Sequence, residues 1–160
     1  MGSRFASNLH TFGYESGGSE VIWDVADIWK AAEHLKVKRM ALDEFHTYIE
    51  HIRRHYDKED EARISEADLS YPPIISSGYN TVEIAEGSIA KVPFIIDGCH
   101  RLAKMIDLDK KWVDVKIMHS MPTPLYVKGK PFLIEGLNFT WRAKSVSNES
   151  FTQDVKWLEW

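Results

Sequence analysis

The sequence predicts an α+β protein in which helices flank a small mixed sheet within a single domain. Apolar residues recur at helical spacing after Asp24 and again after Asp43. Two β-rich runs, residues 81–85 and 89–96, are separated by a short Glu-Gly-Ser turn and predict a hairpin. A strand, a turn, a helix and a second strand then follow over residues 92–118. Both periodicities within 160 residues indicate one α+β domain with a real core.

The first two helices are predicted from their caps and apolar stripes. Asp24 is a good N-cap residue, and apolar side chains follow it at helical spacing as far as Leu35. A short strand is predicted at residues 38–42. Asp43 then caps a second helix, whose apolar stripe continues to Tyr56.

The segment before the hairpin reads as an acidic run, a helix and a proline-led strand. Residues 57–61 are expected to be solvated, and a third helix is predicted over residues 62–67. Pro72 and Pro73 introduce a strand at Ile74, because proline is tolerated at strand starts and not inside helices.

The later elements are predicted by the same rules. Residues 99–107 are predicted to be helical, and residues 112–118 alternate as a strand does, so that strand, helix and strand form a crossover. Beyond a proline break, residues 132–134 and 139–141 are strand-like.

Composition suggests three parts. Residues 1–19 are rich in Gly and Ser and predict a flexible N-terminal arm, residues 20–128 the main domain, and residues 129–160 an aromatic-rich extension packed on it. The aromatic residues of the extension could stack on nucleobases or cover a sheet edge or an oligomer contact. The side chains concerned are Phe139, Trp141, Phe151, Trp157 and Trp160.

Charge and cysteine content narrow the classes of function. A net charge of −4 argues against wholesale wrapping of nucleic acid, although a local basic patch would escape this average. The single cysteine, Cys99, excludes an internal disulfide and fits a reducing compartment. No long apolar run could span a membrane or act as a secretory signal, so a cytoplasmic protein without a membrane partner is expected.

The 97–101 turn, Asp97-Gly98-Cys99-His100-Arg101, follows a buried strand and opens a helix. A helix start offers unpaired N–H groups and the positive end of the helix dipole, so it suits a phosphate. Gly98 lets the backbone come close, Arg101 supplies a planar fork, and His100 a donor that titrates near neutral pH. Asp97 ends the preceding strand, where a catalytic carboxylate could reach the same phosphate. The alternative is that Asp97 only caps the helix and Arg101 faces solvent.

This turn, with Pro72-Pro73-Ile74-Ile75 upstream, resembles the ParB/sulfiredoxin superfamily over about residues 37–118. The resemblance implies a ParB/sulfiredoxin-like fold that binds nucleotide phosphates with the turn and its helix. Relatives include sulfiredoxins, CTP-dependent partition proteins, free serine kinases, ATPases and nucleases. An aspartate before the glycine is more like the kinase, ATPase and partition-type members, because sulfiredoxins usually carry another glycine there.

The preferred function is therefore binding of ATP or ADP with Mg²⁺ at the 97–101 turn, followed by phosphoryl transfer or NTP hydrolysis, as in a kinase or ATPase. The phosphates are expected to meet Gly98, Cys99, His100 and Arg101, with hydroxyl contacts from Ser70 and Ser76. The catalytic residues are expected to be Asp97, His100 and Cys99. Mg²⁺ is expected on Asp97, Glu66 and Asp68. The acceptor, a small molecule or a macromolecule, is not specified, and an oligomer is compatible with the sequence.

Three other functions stay open. A sulfiredoxin-type reductase would use Cys99, whose thiol should have a lowered pKa beside His100 and Arg101. A partition-like module would bind DNA or a protein without catalysis, and a metal-dependent nuclease would use the same carboxylates.

His51 and His55 share one helical face and could seat a transition metal, although an exposed polar face is the favoured interpretation.

Overall fold

The computed structural model describes residues 10–144 and confirms the α+β class. In chain order the elements are β1 (Thr11–Ser16), β2 (Ser19–Asp24), α1 (Val25–Ala32), β3 (Lys38–Ala41), a 3-10 turn (Leu42–Phe45), α2 (His46–Arg53), α3 (Lys58–Glu66), β4 (Ile74–Ala85), β5 (Ser88–Asp97), α4 (Cys99–Asp107), β6 (Trp112–Met118) and β7 (Tyr126–Lys128). Within residues 10–144 no helix is both long and apolar enough to cross a membrane.

The described chain divides into two compact units. One unit, here called the end unit, contains the described residues up to His34 and from Ser120 onward, and the other, the central unit, is Leu35–His119. This division differs from the expected one, in which a single domain ran over residues 20–128. The first helix and the last strand share the end unit because β7 pairs with β2.

The end unit is built on an antiparallel sheet in the order β1-β2-β7. Its helix α1 begins as predicted, with the Asp24 carboxylate accepting a hydrogen bond from the Ala26 N–H at 2.9 Å. The predicted strands at 132–134 and 139–141 are not formed, and only isolated bridges occur there, at Ser120 with Asn138 and at Ile134 with Leu137.

The flexible-arm prediction is wrong for residues 11–19, which form the β1-β2 hairpin. Gly17 and Gly18 have φ values of 57° and 84°, and positive φ at both central residues is what the favoured two-residue hairpin turn requires. The glycines that suggested a linker are therefore turn residues. Residues 1–9 lie outside the described range.

Of the described aromatic residues of the extension, Phe139 contacts this sheet and Trp141 contacts other rings of the extension. Phe139 meets Trp23 edge to face with ring centroids 5.2 Å apart, and Trp141 meets Phe132 in the same way at 5.0 Å. The expected cover of a sheet edge differs from this contact, because Trp23 lies on β2, the central strand of the sheet. Phe151, Trp157 and Trp160 lie outside the described residues.

The central unit has a mixed sheet in the order β3-β6-β4-β5. The β4-β5 hairpin is confirmed, and β4 runs parallel to β6. Helix α4 connects β5 to β6, and these two strands lie on opposite sides of β4 in the sheet. The core between sheet and helices consists of Leu42, Phe45, Ile49, Ile64, Ile75, Ile95, Leu102, Ala103, Met105, Val113 and Val115.

Two helix starts in this unit differ from expectation. Asp43 lies in the 3-10 turn, and α2 begins after Phe45 without a side-chain cap. Helix α3 begins at Lys58 inside the acidic run, where Asp57 and Asp60 form a reciprocal capping box. Acidic side chains stabilise a helix start because they satisfy its N–H groups and its dipole, so this run is structured rather than merely solvated.

Candidate functional site

Gly98 sets the geometry of the 97–101 turn. Strand β5, whose second half is buried, ends at Asp97, and Gly98 forms the N-cap of α4 with φ 113° and ψ 17°, a left-handed conformation that favours glycine. A Cβ atom on Gly98 would lie 2.8 Å from the Pro73 Cβ and 2.9 Å from its Cα. The residue must therefore lack a side chain for two reasons, its backbone angle and its contact with Pro73.

The proline-led strand β4 lies beside the 97–101 turn. Ile74 on β4 is the register partner of Asp97 on β5. The Pro73 carbonyl accepts a hydrogen bond from the Lys116 N–H at 2.9 Å, which ties the same segment to β6. The turn therefore rests on two neighbouring strands and not on a free loop.

Asp97 and Arg101 form an ion pair inside the turn. Arg101 Nη2 donates to Asp97 Oδ2 at 3.0 Å, and the side chains are only 13% and 11% exposed, respectively. The alternative in which Asp97 caps the helix and Arg101 faces solvent is wrong, because Gly98 is the N-cap and the arginine is mostly buried. An arginine fixed by a carboxylate keeps its planar fork in one orientation, which suits recognition of an oxyanion.

The pKa of the Cys99 thiol is raised, whereas the sequence predicts a lowered pKa. The residue packs against the core of the central unit, and burial, with a smaller effect of the Asp97 charge, raises the pKa of its thiol to about 12. Arg101 lowers the pKa by less than these effects raise it. The expected lowering of the pKa is wrong, and the thiol is protonated at neutral pH.

His100 is paired with a carboxylate that the sequence analysis did not select. Its Nε2 lies 3.3 Å from Oδ1 of Asp60, on the first turn of α3, and its ring lies 5.3 Å from that of Tyr56. Burial alone would raise the pKa of Asp60, but hydrogen bonds from the Asp57 N–H and from His100 hold it below its ordinary value. The Asp57-x-x-Asp60 spacing, a capping-box pattern, was the available sign that this segment is an ordered helix start.

Lys104 is a second cation near the turn that sequence reasoning missed. It lies three residues after Arg101 on α4, and its Nζ donates to the Ala67 carbonyl at 2.8 Å. Asp68 is close to both cations: hydrogen bonds from the Ser70 hydroxyl and N–H lower its pKa, and Lys104 and Arg101 lower it further. The spacing of Arg101 and Lys104 on one helical face was the signal for this residue.

The predicted phosphate-binding serines already have partners. The Ser76 side chain is buried, with 2% of the residue exposed, and its Oγ accepts a hydrogen bond from the Gly78 N–H at 2.9 Å. The Ser70 Oγ donates to Asp68 at 2.7 Å. Ser76 is therefore part of the irregular pairing of β4, while Ser70 orders the segment that carries Asp68.

The predicted metal ligands are not assembled into a metal site. No group of three or more His, Cys, Asp or Glu side chains in residues 10–144 is arranged to hold a metal ion. Asp97 is engaged by Arg101, Asp68 by Ser70, and Glu66 is an exposed residue at the end of α3. The set Asp97, Glu66 and Asp68 does not fit a protein-held Mg²⁺ for these reasons.

The His51 and His55 rings likewise form no such site. They meet edge to face with centroids 6.3 Å apart, which is a ring contact rather than a shared metal geometry.

An arginine on α2 fixes the helices around the turn. The Arg53 guanidinium makes two hydrogen bonds with Glu61 of α3, at 3.0 and 2.8 Å. It makes two more with Asp107 of α4, at 2.8 and 2.9 Å. The hydrogen bonds that Arg53 donates to both carboxylates raise the pKa of Arg53 and lower the pKa of each carboxyl group. Because these bonds are bidentate, they fix geometry as well as charge.

Taken together, the turn offers the N-terminal end of α4, Arg101, His100 and Lys104 within six consecutive residues of one helix. Such an arrangement can bind and neutralise an anion with several oxygen atoms.

Comparisons with family models, with curated proteins and with solved structures found no match to this chain.

Proposed function

We propose that the central unit binds a nucleotide, ATP or ADP, by its phosphates at the 97–101 turn and uses it for phosphoryl transfer or hydrolysis. One observation carries the proposal. Gly98, in the left-handed conformation against Pro73, opens a helix whose first turn carries His100 and Arg101 and whose last turn carries Lys104. The resemblance of the same residues to the ParB/sulfiredoxin superfamily agrees with this proposal.

The phosphates would be held by backbone and side chain together. An α-helix directs the N–H groups of its first turn toward its N-terminal end, where they can donate to an oxyanion. The Arg101 guanidinium carries five donors in a plane, so it can keep its bond to Asp97 and still donate to a phosphate. The arginine is thus ordered before the ligand arrives, which reduces the entropy lost on binding.

The chemistry would depend on His100 and Asp97. A protonated His100 can donate to a phosphate oxygen that gains charge during transfer. Asp97 lies at the same turn and can accept the proton of an acceptor hydroxyl if the ligand loosens its bond to Arg101. Mg²⁺ would enter with the nucleotide, held mainly by phosphates and water, since the carboxylates nearby are already engaged.

Binding without turnover is the second candidate function, and one observation favours it. The Asp97 carboxylate is tied to Arg101, and the Cys99 thiol is protonated, so neither side chain is poised as a base or nucleophile in this arrangement. A nucleotide-binding module that contacts a protein or DNA partner would need the phosphate site and no more. The raised pKa of Cys99 also disfavours the sulfiredoxin-type reaction, which needs a thiolate.

A thermal-shift screen with ATP, ADP, CTP and GTP, with and without Mg²⁺, tests binding directly. A ligand specific for the folded state at a hundredfold excess over Kd stabilises it by about 2.7 kcal/mol, which is readily visible. We expect ATP or ADP to raise Tm. Release of phosphate from ATP, followed in the same samples, separates an enzyme from a binding module.

The site is tested by a neutral double variant, Asp97→Asn/Arg101→Gln. Removing one member of a buried pair leaves the other charge uncompensated, whereas replacing both by neutral groups leaves no unpaired charge. We expect the variant to fold and to lose the nucleotide-induced rise in Tm.

The matched control is Arg39→Gln/Asp114→Asn, which removes an exposed pair of the same type between β3 and β6, 3.1 Å long. It should keep the full response to nucleotide. A folded Asp97→Asn/Arg101→Gln protein with the response of the control would contradict the proposed site.

A further inference from the structure

The imidazole of His100 has a partner that lies outside the turn. Asp60 is forty residues earlier in the chain, and its Oδ1 lies 3.3 Å from His100 Nε2. The His100 and Asp60 side chains are 25% and 16% exposed, so the contact is shielded from solvent. The other oxygen, Oδ2, accepts the Asp57 N–H at 3.2 Å. Both carboxylate oxygens are therefore engaged, which restricts rotation of the Asp60 side chain.

The helix that carries Asp60 is fastened to α4 near both of its ends. At its start, Arg53 binds Glu61, the neighbour of Asp60, and also Asp107 at the end of α4. After its end, Lys104 donates to the Ala67 carbonyl. These contacts fix the distance between Asp60 and His100 by tertiary structure, independently of the local flexibility of either side chain.

A carboxylate at this distance does two things to an imidazole. It accepts a hydrogen bond from the Nε2–H, which sets the orientation of the ring, and it favours the protonated form by direct attraction. A protonated His100 would add a positive charge to that of Arg101 in the first turn of α4, with Lys104 in the last turn of the same helix.

We infer that Asp60 is the positioning residue of His100, and that the Asp60–His100 pair makes anion binding at the 97–101 turn depend on pH. The dependence of anion binding on pH rests on the proposed function. The pairing of Asp60 with His100 rests on the described contacts alone. Affinity should be highest where His100 is protonated and should fall as the pH rises through its titration.

Other charged and titratable groups surround the Asp60–His100 pair. From α3, Arg63 lies 3.4 Å from the same Asp60 oxygen and partly neutralises it, and Asp57 contacts Asp60 through its backbone N–H. Tyr56 presents its ring. On the side of the turn, the charges are Asp97, Arg101 and Lys104, of which Asp97 is paired with Arg101.

The pairing is tested by NMR titration of the histidine rings in the full chain. The chain has seven histidines, so six serve as internal references. In the wild type we expect His100 to titrate at a higher pH than the mean of the other six. In Asp60→Asn its midpoint should move to lower pH while the six references stay in place.

The control is Asp57→Asn, which removes one negative charge from the same helix start. The helix start should persist, because asparagine caps a helix about as well as aspartate. It should move the His100 midpoint clearly less than Asp60→Asn does. An unchanged His100 midpoint in folded Asp60→Asn would overturn the inference. If that variant fails to fold, a wild-type midpoint at or below the mean of the other histidines would overturn it as well.

The effect on binding is tested with sulfate at constant ionic strength, because sulfate keeps both charges between about pH 5 and pH 9 and so reports only the titration of the protein. We expect affinity, measured from the amide shifts of residues 98–102, to fall by about tenfold as His100 loses its proton, the size of one charge-assisted hydrogen bond. The fall should occur at lower pH in Asp60→Asn and should be absent in His100→Gln.

Sulfate bound at the turn with the same affinity throughout would overturn the pH-dependent part of the inference. The absence of any response to sulfate or nucleotide at the turn would contradict the proposed function instead. In that case the histidine titration would still decide whether Asp60 positions His100.

Discussion

At the scale of single residues, Gly98 is the position where sequence and geometry are most tightly linked. Its φ of 113° is unfavourable for any residue with a side chain, and Pro73 occupies the place of a Cβ. We therefore expect Gly98→Ala to lower the free energy of unfolding by about 2 kcal/mol or more, combining backbone strain with overlap. Urea denaturation measures this change.

Gly87, in the turn of the β4-β5 hairpin, is the control for Gly98. It also has a positive φ, 76°, but a Cβ there would meet nothing within 4 Å. Gly87→Ala should thus cost only the strain of the left-handed conformation, about 1 kcal/mol. Equal losses in the two variants would show that Pro73 does not constrain the turn.

Two buried residues predict how stability changes at alkaline pH. Burial raises the pKa of Cys99 from 9.0 to about 12, and that of Tyr48 from 10.0 to about 12. Between those values the unfolded chain loses protons that the folded chain keeps, so the contribution of these two groups to stability is fully present below pH 9.0 and is lost as the pH rises toward 12. Urea denaturation should show this fall, and Cys99→Ala should begin to lose stability only at the higher pH where Tyr48 titrates.

At the scale of elements, the parts with a strong local pattern were predictable. Helix α4 and strand β6 have the predicted bounds, because the amphipathic pattern of each agrees with its burial in the core. The start of α3 was not predicted, because its acidic first turn carries no apolar pattern and is stabilised by capping. Asp60 was missed for a different reason, because its contact with His100 spans forty residues of the chain.

The contacts of Arg53 with Glu61 and Asp107 are expected to stabilise the packing of three helices. Each pair is partly exposed, so a single pair would contribute little, but one guanidinium bridging two carboxylates bidentately forms a network. We expect Arg53→Gln to lower Tm by roughly 3 °C or more, and Arg39→Gln, which breaks one exposed pair, to lower it less. Circular dichroism melting compares them.

The contribution of the same Arg53 contacts to stability depends on pH in the acid range. Hydrogen bonds from Arg53 lower the pKa of Asp107 and of Glu61 below their ordinary 3.8 and 4.5. Their contribution to stability is therefore present above those values and is lost as the pH falls through the lowered ones. The acid limb of stability against pH should be less steep in Arg53→Gln. An unchanged acid limb would show that the ion pairs contribute nothing in solution.

At the scale of the whole molecule, the sequence predicts the α+β class and not its division into two units. Local periodicity identifies helices and strands, but the pairing of β2 with β7 joins segments that are distant in the chain. Likewise, the residues of the 97–101 turn could be identified in the sequence because they are consecutive. Their partners Pro73 and Asp60 could not, because tertiary packing brings them to the turn.

The central unit should fold by itself. It is one continuous segment, Leu35–His119, with its own sheet and its own buried core. We expect a protein of residues 35–119 to unfold cooperatively and to give dispersed NMR amide signals, because chains of this size can bury enough apolar surface to be stable. A molten or unfolded 35–119 segment would contradict this division.

The central claim, that phosphates of a nucleotide bind at the 97–101 turn, is tested most directly by NMR titration of the full chain with ATP. We expect saturable amide shift changes that are largest at residues 98–102, with smaller changes around Asp60 and Lys104. The changes at the turn should be lost in the folded Asp97→Asn/Arg101→Gln variant. Saturable changes centred elsewhere, or none at millimolar ATP, would contradict the claim.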